Sequence, residues 1–176
     1  MTVTKTIQVR RARASDVDII EHFIDKIAAV HGDTYQKNAD FILREAFGTN
    51  PALEIYFAQK GQSVVGFCVI YWEFALHMGL KRLHLNLFYV DEDQRGTGID
   101  GTMMDVIERR AKEQGASMIV VGAELWNEAA QQTYLALGFE RRPVIGAFFK
   151  KPLIQMARES GHRLILAFCL TLTLWT

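Results

Sequence analysis

Residues 87–101 read Leu87-Phe88-Tyr89-Val90-Asp91-Glu92-Asp93-Gln94-Arg95-Gly96-Thr97-Gly98-Ile99-Asp100-Gly101, and this stretch decides the fold. The aromatic and β-branched opening suits the end of a strand. From Gly98 the period changes. Ile99, Met103, Met104, Val106, Ile107 and Ala111 fall mostly on one helical stripe, with Glu108, Arg109, Lys112 and Glu113 on the exposed side and Gly115 as the stop. A strand therefore runs through a glycine-rich turn into a helix. Glycines let the backbone curl so that several N–H groups point at one centre. The helix start adds its own free N–H groups and the positive end of its dipole. Such a turn can hold phosphate oxygens, and Arg95 can add a full positive charge. The plainer alternative is a tight loop that only caps a helix.

Gly96 to Gly101 also spells the G-x-G-x-x-G dinucleotide pattern. In that motif the first glycine follows its strand almost directly and sits within βαβ units. Here the charged Asp91–Arg95 segment intervenes, and the preceding ninety residues read as an antiparallel meander. A P-loop is excluded, since no Gly-Lys-Ser/Thr follows.

Working outward, Ile7–Arg11 is a short strand, and Ser15-Asp16 offers an N-cap for a helix over about 16–30. Lys37–Phe47 reads as a second helix. Ala52–Gln59 and Ser63–Phe74 form a hairpin about Lys60-Gly61-Gln62. Lys81–Val90 alternates, with Leu83, Leu85 and Leu87 on one face and Arg82, His84 and Asn86 on the other. Ser117–Gly122 is wholly apolar, as expected of a strand covered on both faces. Asn127 caps a helix that runs to Leu137. Short strands are expected at Phe139–Arg141 and Phe148–Lys150. The order predicts one α+β domain, antiparallel in front, with a helix crossing between two later strands.

Composition agrees. The 176 residues are 49% hydrophobic and 23% charged, which suits one globular domain and excludes disorder. Twenty Lys and Arg balance twenty Asp and Glu, so the basic footprint of a nucleic-acid binder is missing. Cys68 and Cys169 are too few for a disulfide framework or a zinc site, and a reducing cytoplasm is expected. The start has no apolar signal core. Leu164–Trp175 is apolar for only twelve residues, short of the about 20 needed to span a membrane.

Arg95-Gly96-Thr97-Gly98-Ile99 after a strand ending Leu-Phe-Tyr-Val resembles motif A of the GNAT superfamily of acyl-CoA-dependent N-acyltransferases. Trp126-Asn127-Glu128-Ala129 followed by Tyr134-Leu135-Ala136-Leu137-Gly138-Phe139 resembles its motif B. The likeness covers about residues 7–150. It implies a central mixed, mostly antiparallel sheet flanked by helices in residues 1–152, with a C-terminal extension at 153–176. It also implies acetyl-CoA as co-substrate, bound where the motif-A strand splays from the next parallel strand. On this likeness Phe88, Tyr89 and Val90 lie along the pantetheine arm, and a backbone N–H there polarises the thioester carbonyl. Arg95, Gly96, Thr97, Gly98, Ile99 and Gly101 map onto the pyrophosphate loop, and Asn127 onto a second contact with the cofactor arm. Tyr134 maps onto the acid that protonates the departing thiolate. The alternative for Tyr134 is a buried helix aromatic. No metal is implied.

One residue departs from the pattern. Asp100 stands where the family has Gly or Ala, in the first turn of the helix and near the expected pyrophosphate. Two unit charges about 6 Å apart at an effective dielectric of about 20 repel by roughly 3 kcal/mol. Asp100 therefore motivates a second expectation, an acyl-CoA-binding module with weak or no catalysis.

The usual acceptor is an amine. At neutral pH an alkylamine of pKa about 10 must lose a proton, at about 4 kcal/mol, so a base is wanted. His84, Asn86, Glu73 and Glu124 are the candidates. Glu124, just past a buried strand, is preferred as the catalytic base, with His84 and Asn86 as substrate-binding residues; His84 also reads as a solvated strand residue. The chain looks closest to the diamine and polyamine N-acetyltransferases, through Val65-Gly66-Phe67, Phe47-Gly48-Thr49-Asn50-Pro51 and Trp126-Asn127-Glu128. Those enzymes carry a Glu-Asp pair where this chain has Asn86-Leu87. In the extension Leu164, Leu166, Phe168, Leu170, Leu172 and Leu174 alternate with smaller residues. This predicts a strand that pairs with an edge of this or a second subunit, hence a homodimer; a membrane-surface segment or an accidental extension are the alternatives.

Overall fold

A computed structural model describes residues 6–142 together with Phe149 and Lys151. Strand β1 (Ile7–Arg11) leads through a 3₁₀ turn at Ala14–Asp16 into helix α1 (Val17–His31), then α2 (Ala39–Phe47). Strands β2 (Glu54–Lys60), β3 (Ser63–Ala75) and β4 (Leu80–Val90) follow as a meander. Helix α3 (Ile99–Glu113) crosses to β5 (Met118–Val121), and α4 (Glu128–Ala136) comes last. The strands lie in the order β1-β2-β3-β4-β5. The first three pairings are antiparallel and β4 with β5 is parallel. This is the expected mixed sheet flanked by helices. Among the described residues no helix is long and apolar enough to cross a membrane.

The sheet buries a cluster on each face. Cys68, Ile70, Leu83 and Leu85 pack with Ile99, Met103 and Ile107 of α3. Phe57, Phe67 and Val69 pack with Ile20 and Phe23 of α1 and Ile42 of α2, and Phe23 stacks on Phe67 at 5.5 Å. The first contact requires Gly66. A Cβ there would sit 2.7 Å from the Met103 sulfur and 3.0 Å from Ala58 Cβ, so α3 lies close against the sheet only because β3 carries no side chain at that point.

Several expectations need correction. Leu87 does not share a face with Leu83 and Leu85. Val69 pairs with Leu87 but Ile70 pairs with Leu85, so Asn86 is an extra residue in β4. Such a β-bulge inverts the alternation beyond it. Leu87 and Tyr89 therefore join the α1 side, while Phe88 and Val90 pack toward α3. The α1 cap also differs. Asp16 makes no side-chain cap to the helix; its carboxylate accepts from the Arg13 N–H at 2.8 Å and from the Arg10 guanidinium at 2.7 and 3.0 Å. The Arg10 hydrogen bonds hold that carboxyl below its ordinary value despite partial burial. Strand β5 is not covered on both faces: Met118 is exposed and the next three residues half-buried, because among the described residues β4 is its sole strand neighbour. Phe139–Arg141 forms no strand. The Phe139 N–H bonds the Tyr134 carbonyl at 3.0 Å, and its ring folds back on Tyr134. The strand expected at Phe148–Lys150 and the alternating segment 164–174 lie outside the described residues, apart from Phe149.

Candidate active site

The site forms where two parallel strands part. Pairing of β4 with β5 ends at Leu85 and Val121. Beyond it β4 continues to Val90, bonded on one side to β3, while the other chain turns away through residues 122–127. The gap is a wedge with β4 backbone along one wall. Phe88, Tyr89 and Val90, expected along the carrier arm, occupy that wall.

At the wide end lies the glycine turn. Asp91–Gln94 closes with a Gln94 N–H to Asp91 carbonyl bond of 2.9 Å, and Thr97 Oγ1 donates to the Gln94 carbonyl at 2.6 Å. Gly96 and Gly98 have φ of 72° and 84°, left-handed values that side chains resist. Among the described residues the N–H groups of 96–101 find no protein acceptor; the first bond is Thr102 N–H to the Gly98 carbonyl at 3.0 Å. Ideal Cβ atoms at Gly96, Gly98 and Gly101 would meet nothing within 4 Å. A run of donors thus borders open space at a helix start, an arrangement that fits a diphosphate. The Ile99 side chain is fully buried under α3, so only its backbone can serve here. Arg95 is half-exposed; its Nε donates to the Val90 carbonyl at 3.1 Å, its guanidinium lies over Tyr89 at 5.6 Å, and its Nη1 lies 3.8 Å from the exposed Glu92 carboxylate. Asp100 is half-buried in the first turn.

Tyr134 of α4 reaches the same wall. Its ring lies 6.5 Å from Phe88 and 5.7 Å from Phe139. Burial pushes its phenol up to about 12, so it holds its proton at neutral pH. Asn127 caps α4 as the sequence suggests, its Oδ1 accepting from the Ala130 N–H at 3.1 Å. That bond leaves its amide NH₂ as the group for a ligand. Glu124 is half-buried in the turn after β5, where its carbonyl accepts from Asn127 N–H at 2.9 Å and Gln131 Nε2 at 3.0 Å. These bonds fix its backbone. No hydrogen bond or ion pair joins its carboxylate to Tyr134 or His84 among the described residues.

His84 is not a solvated strand residue. It is 2% exposed, stacks on Tyr71 at 4.6 Å and 8°, and places Nδ1 3.6 Å from Glu73 Oε2. Glu73 also lies 3.4 Å from the buried Arg82. Charged partners across the β3–β4 ladder permit this burial. His84 Nδ1 has no hydrogen-bond partner. Asn86 occupies the bulge.

Helix α1 contributes residues the sequence did not single out. Lys26 Nζ binds Asp91 Oδ1 at 2.6 Å, just before the glycine turn. Five residues on, His31 packs edge-on against Trp126 at 5.7 Å. Helix α1 thus bridges the ends of β4 and β5 across the wedge, on the face opposite α3. The helical periodicity gave no sign of either partner, since both lie far away in the chain.

Comparisons with known proteins accord with this geometry. Thialysine N-epsilon-acetyltransferase of Bos taurus is 24% identical over 142 residues, covering 75% of this chain and 83% of that protein. The Mus musculus enzyme of the same name is 28% identical over 141 residues, covering 74% and 82%. A crystal structure described as a probable acetyltransferase superposes with a TM-score of 0.71 at 20% identity, over 84% of this chain and 99% of its own. An aminoglycoside acetyltransferase from an uncultured soil metagenomic sample, crystallised with sisomicin, gives 0.69 at 14% identity, over 82% and 97%. These two structures share the fold. The model of the Acetyltransferase (GNAT) family matches residues 20–139, which span the wedge, the glycine turn and α4, and the chain belongs to that family of acetyltransferases.

Proposed function

We propose that this enzyme moves an acetyl group from acetyl-CoA to a primary amine of a small molecule, by direct attack in a ternary complex. The observation that carries this reading is the row of unengaged N–H groups at 96–101, opening beside a wedge that Phe88 and Tyr134 line. When bound, acetyl-CoA supplies a thioester whose carbonyl carbon bonds the amine nitrogen as the C–S bond breaks. The turn holds the diphosphate, with Arg95, Gly96, Thr97, Gly98, Ile99 and Gly101 giving backbone donors and charge. The β4 edge at Phe88–Val90 aligns the pantetheine arm, and Asn127 adds its amide. Tyr134 delivers its proton to the departing sulfur and regains one, through solvent, from the nitrogen, which sheds its second proton as the amide forms. Glu124 takes the proton from the ammonium, and His84 and Asn86 belong to the acceptor side. Cys68 is fully buried, and burial pushes its thiol up, so it is no nucleophile for a covalent route.

Residues 1–152 form the catalytic domain on this reading. The extension 153–176 pairs as a strand with a sheet edge of this copy or, in a homodimer, of a second one, in a reducing, cytoplasmic setting. The test is release of free CoA thiol from acetyl-CoA with a panel of primary amines. Turnover that saturates in one amine supports the enzyme. Binding of acetyl-CoA without turnover on any amine supports the second reading, an acyl-CoA-binding module, which Asp100 beside the diphosphate position favours.

A further inference from the structure

The two edges of the sheet are built differently. At one, β1 carries Gln8, Arg10 and Arg11, with Arg10 paired to Asp16 and Arg11 4.0 Å from Glu54. Charged side chains of this kind keep a strand edge from pairing further. At the other, β5 reads Met118-Ile119-Val120-Val121, without a charge, and among the described residues it pairs only with β4. Its outward backbone N–H and C=O groups meet no partner among those residues. An uncharged open edge is a template for one more strand.

The two faces of that edge also differ. Ile119 and Val121 pair with Leu83 and Leu85 and share the α3 face with them. On this face a groove runs along β5, floored by Met104 and Ala111 of α3 and by Leu137 just past α4. Met118 and Val120 pair with Arg82 and His84 and lie on the opposite face, where Met118 is exposed. A strand that fits this edge carries large apolar side chains on one side and small or weakly polar ones on the other.

The chain itself holds such a stretch. Leu164–Leu174 reads LILAFCLTLTL and has no charge. As a strand it puts leucines and Phe168 on one side, and Ala167, Cys169, Thr171 and Thr173 on the other, with Ile165 the one large exception. Phe149, in the nearer apolar stretch, is 91% exposed and so does not fill the groove. The described chain runs up to the groove, since Glu140 and Arg142 line it. A linker the length of 143–163 reaches about 25 Å even as a random coil, against about 13 Å for the four residues of β5. Such a linker gives an effective concentration on the order of millimolar, about a thousandfold above a second copy at micromolar strength.

We propose that residues 164–174 of the same chain add a strand to the β5 edge, with the leucine side over α3 and the Cys169 side toward solvent. The proposal rests on reading the extension as a strand, and it names the edge, the face and the copy. Because β5 leads directly into the turn that carries Asn127 and α4, the added strand also braces one wall of the wedge.

Cys68 is fully buried, so a nitroxide thiol reagent on the full chain marks Cys169. Amide NMR then reads which strand lies near it. The amides of Met118–Val121 should lose most of their intensity, and those of Ile7–Arg11 should keep theirs. When isotope-labelled chains without nitroxide are mixed with unlabelled chains that carry it, nothing should broaden. Independently, Phe168→Asp should speed hydrogen exchange at Met118–Val121 by about tenfold or more and leave Phe67 and Val69 unchanged; unchanged exchange at β5 would count against the pairing. Broadening of β1 instead, or of β5 in the mixed sample, would overturn the assignment while leaving the extension a strand. A Cys169 that resists the reagent in the folded chain would contradict its outward placement. Broadening nowhere in the sheet would overturn the assignment and the strand reading together.

Discussion

On the proposed mechanism Tyr134 takes its role from its surroundings. Packed between Phe88 and Phe139 it loses water, and burial lifts its phenol to about 12. An acid that far above neutrality keeps its proton, and so stays neutral, across the working range. Tyr134→Phe should therefore lower kcat by about 10²-fold with KM for acetyl-CoA little changed, read by steady-state thiol release. In the parent enzyme kcat should show no descending limb from this group below about pH 10. Asp100 is the opposite case, a charge placed where the proposed ligand is anionic. With solvent screening removing about half of the unshielded repulsion, Asp100→Asn should tighten CoA binding roughly tenfold, measured by calorimetry. Single residues were also where the sequence was most legible. Asn127 caps its helix as its type and position suggest, because capping is decided within one turn of chain. Asp16 misled for the same kind of reason reversed. Its carboxylate is claimed by Arg10, on a neighbouring strand, and local spacing carries no record of that.

At the scale of elements the decisive feature is the extra residue in β4. Leu83 to Val90 looks like clean alternation, yet Asn86 shifts the register and sends Leu87 and Tyr89 to the α1 side. A bulge is set by the partner strand, so the pattern of one strand could not reveal it. The crossover helix was legible, because period changes at Gly98 and Gly115 mark its ends directly. A second element-level device joins β2 to α3. Arg110 grips the buried Glu54 carboxylate at 2.7 and 3.0 Å, and the Tyr56 hydroxyl donates to it at 2.8 Å. Burial raises the Glu54 carboxyl, but the Arg110 and Tyr56 bonds outweigh it and hold it below its ordinary value. Its contribution to stability is then complete above the unfolded carboxylate value of about 4.3 and lost as pH falls through the lower folded value. Glu54→Gln should cost about 1–3 kcal/mol near neutrality. Chemical denaturation at a series of pH values should show the gap to the parent closing below about pH 4.

At the scale of the whole molecule the proposed chemistry sits at a gap between parallel strands, with α1 strapped across one face and α3 and α4 on the other. The resemblance to the family's two motifs implied that gap; the residues alone read as a glycine turn and a capped helix. The strap was not legible: Lys26 and His31 meet Asp91 and Trp126 only once the sheet has formed. If residues 1–152 are the folding unit, a chain ending at Pro152 should keep its acetyl-CoA affinity. Sedimentation should then show a dimer becoming a monomer if the extension is an exchanged strand. The central claim concerns the donors of residues 96–101, and amide NMR tests it most directly. On titration with CoA, the backbone N–H resonances of Gly96, Gly98 and Gly101 should shift first and furthest, and saturate together with those of Phe88 to Val90. A titration that leaves these amides in place while others move would contradict it.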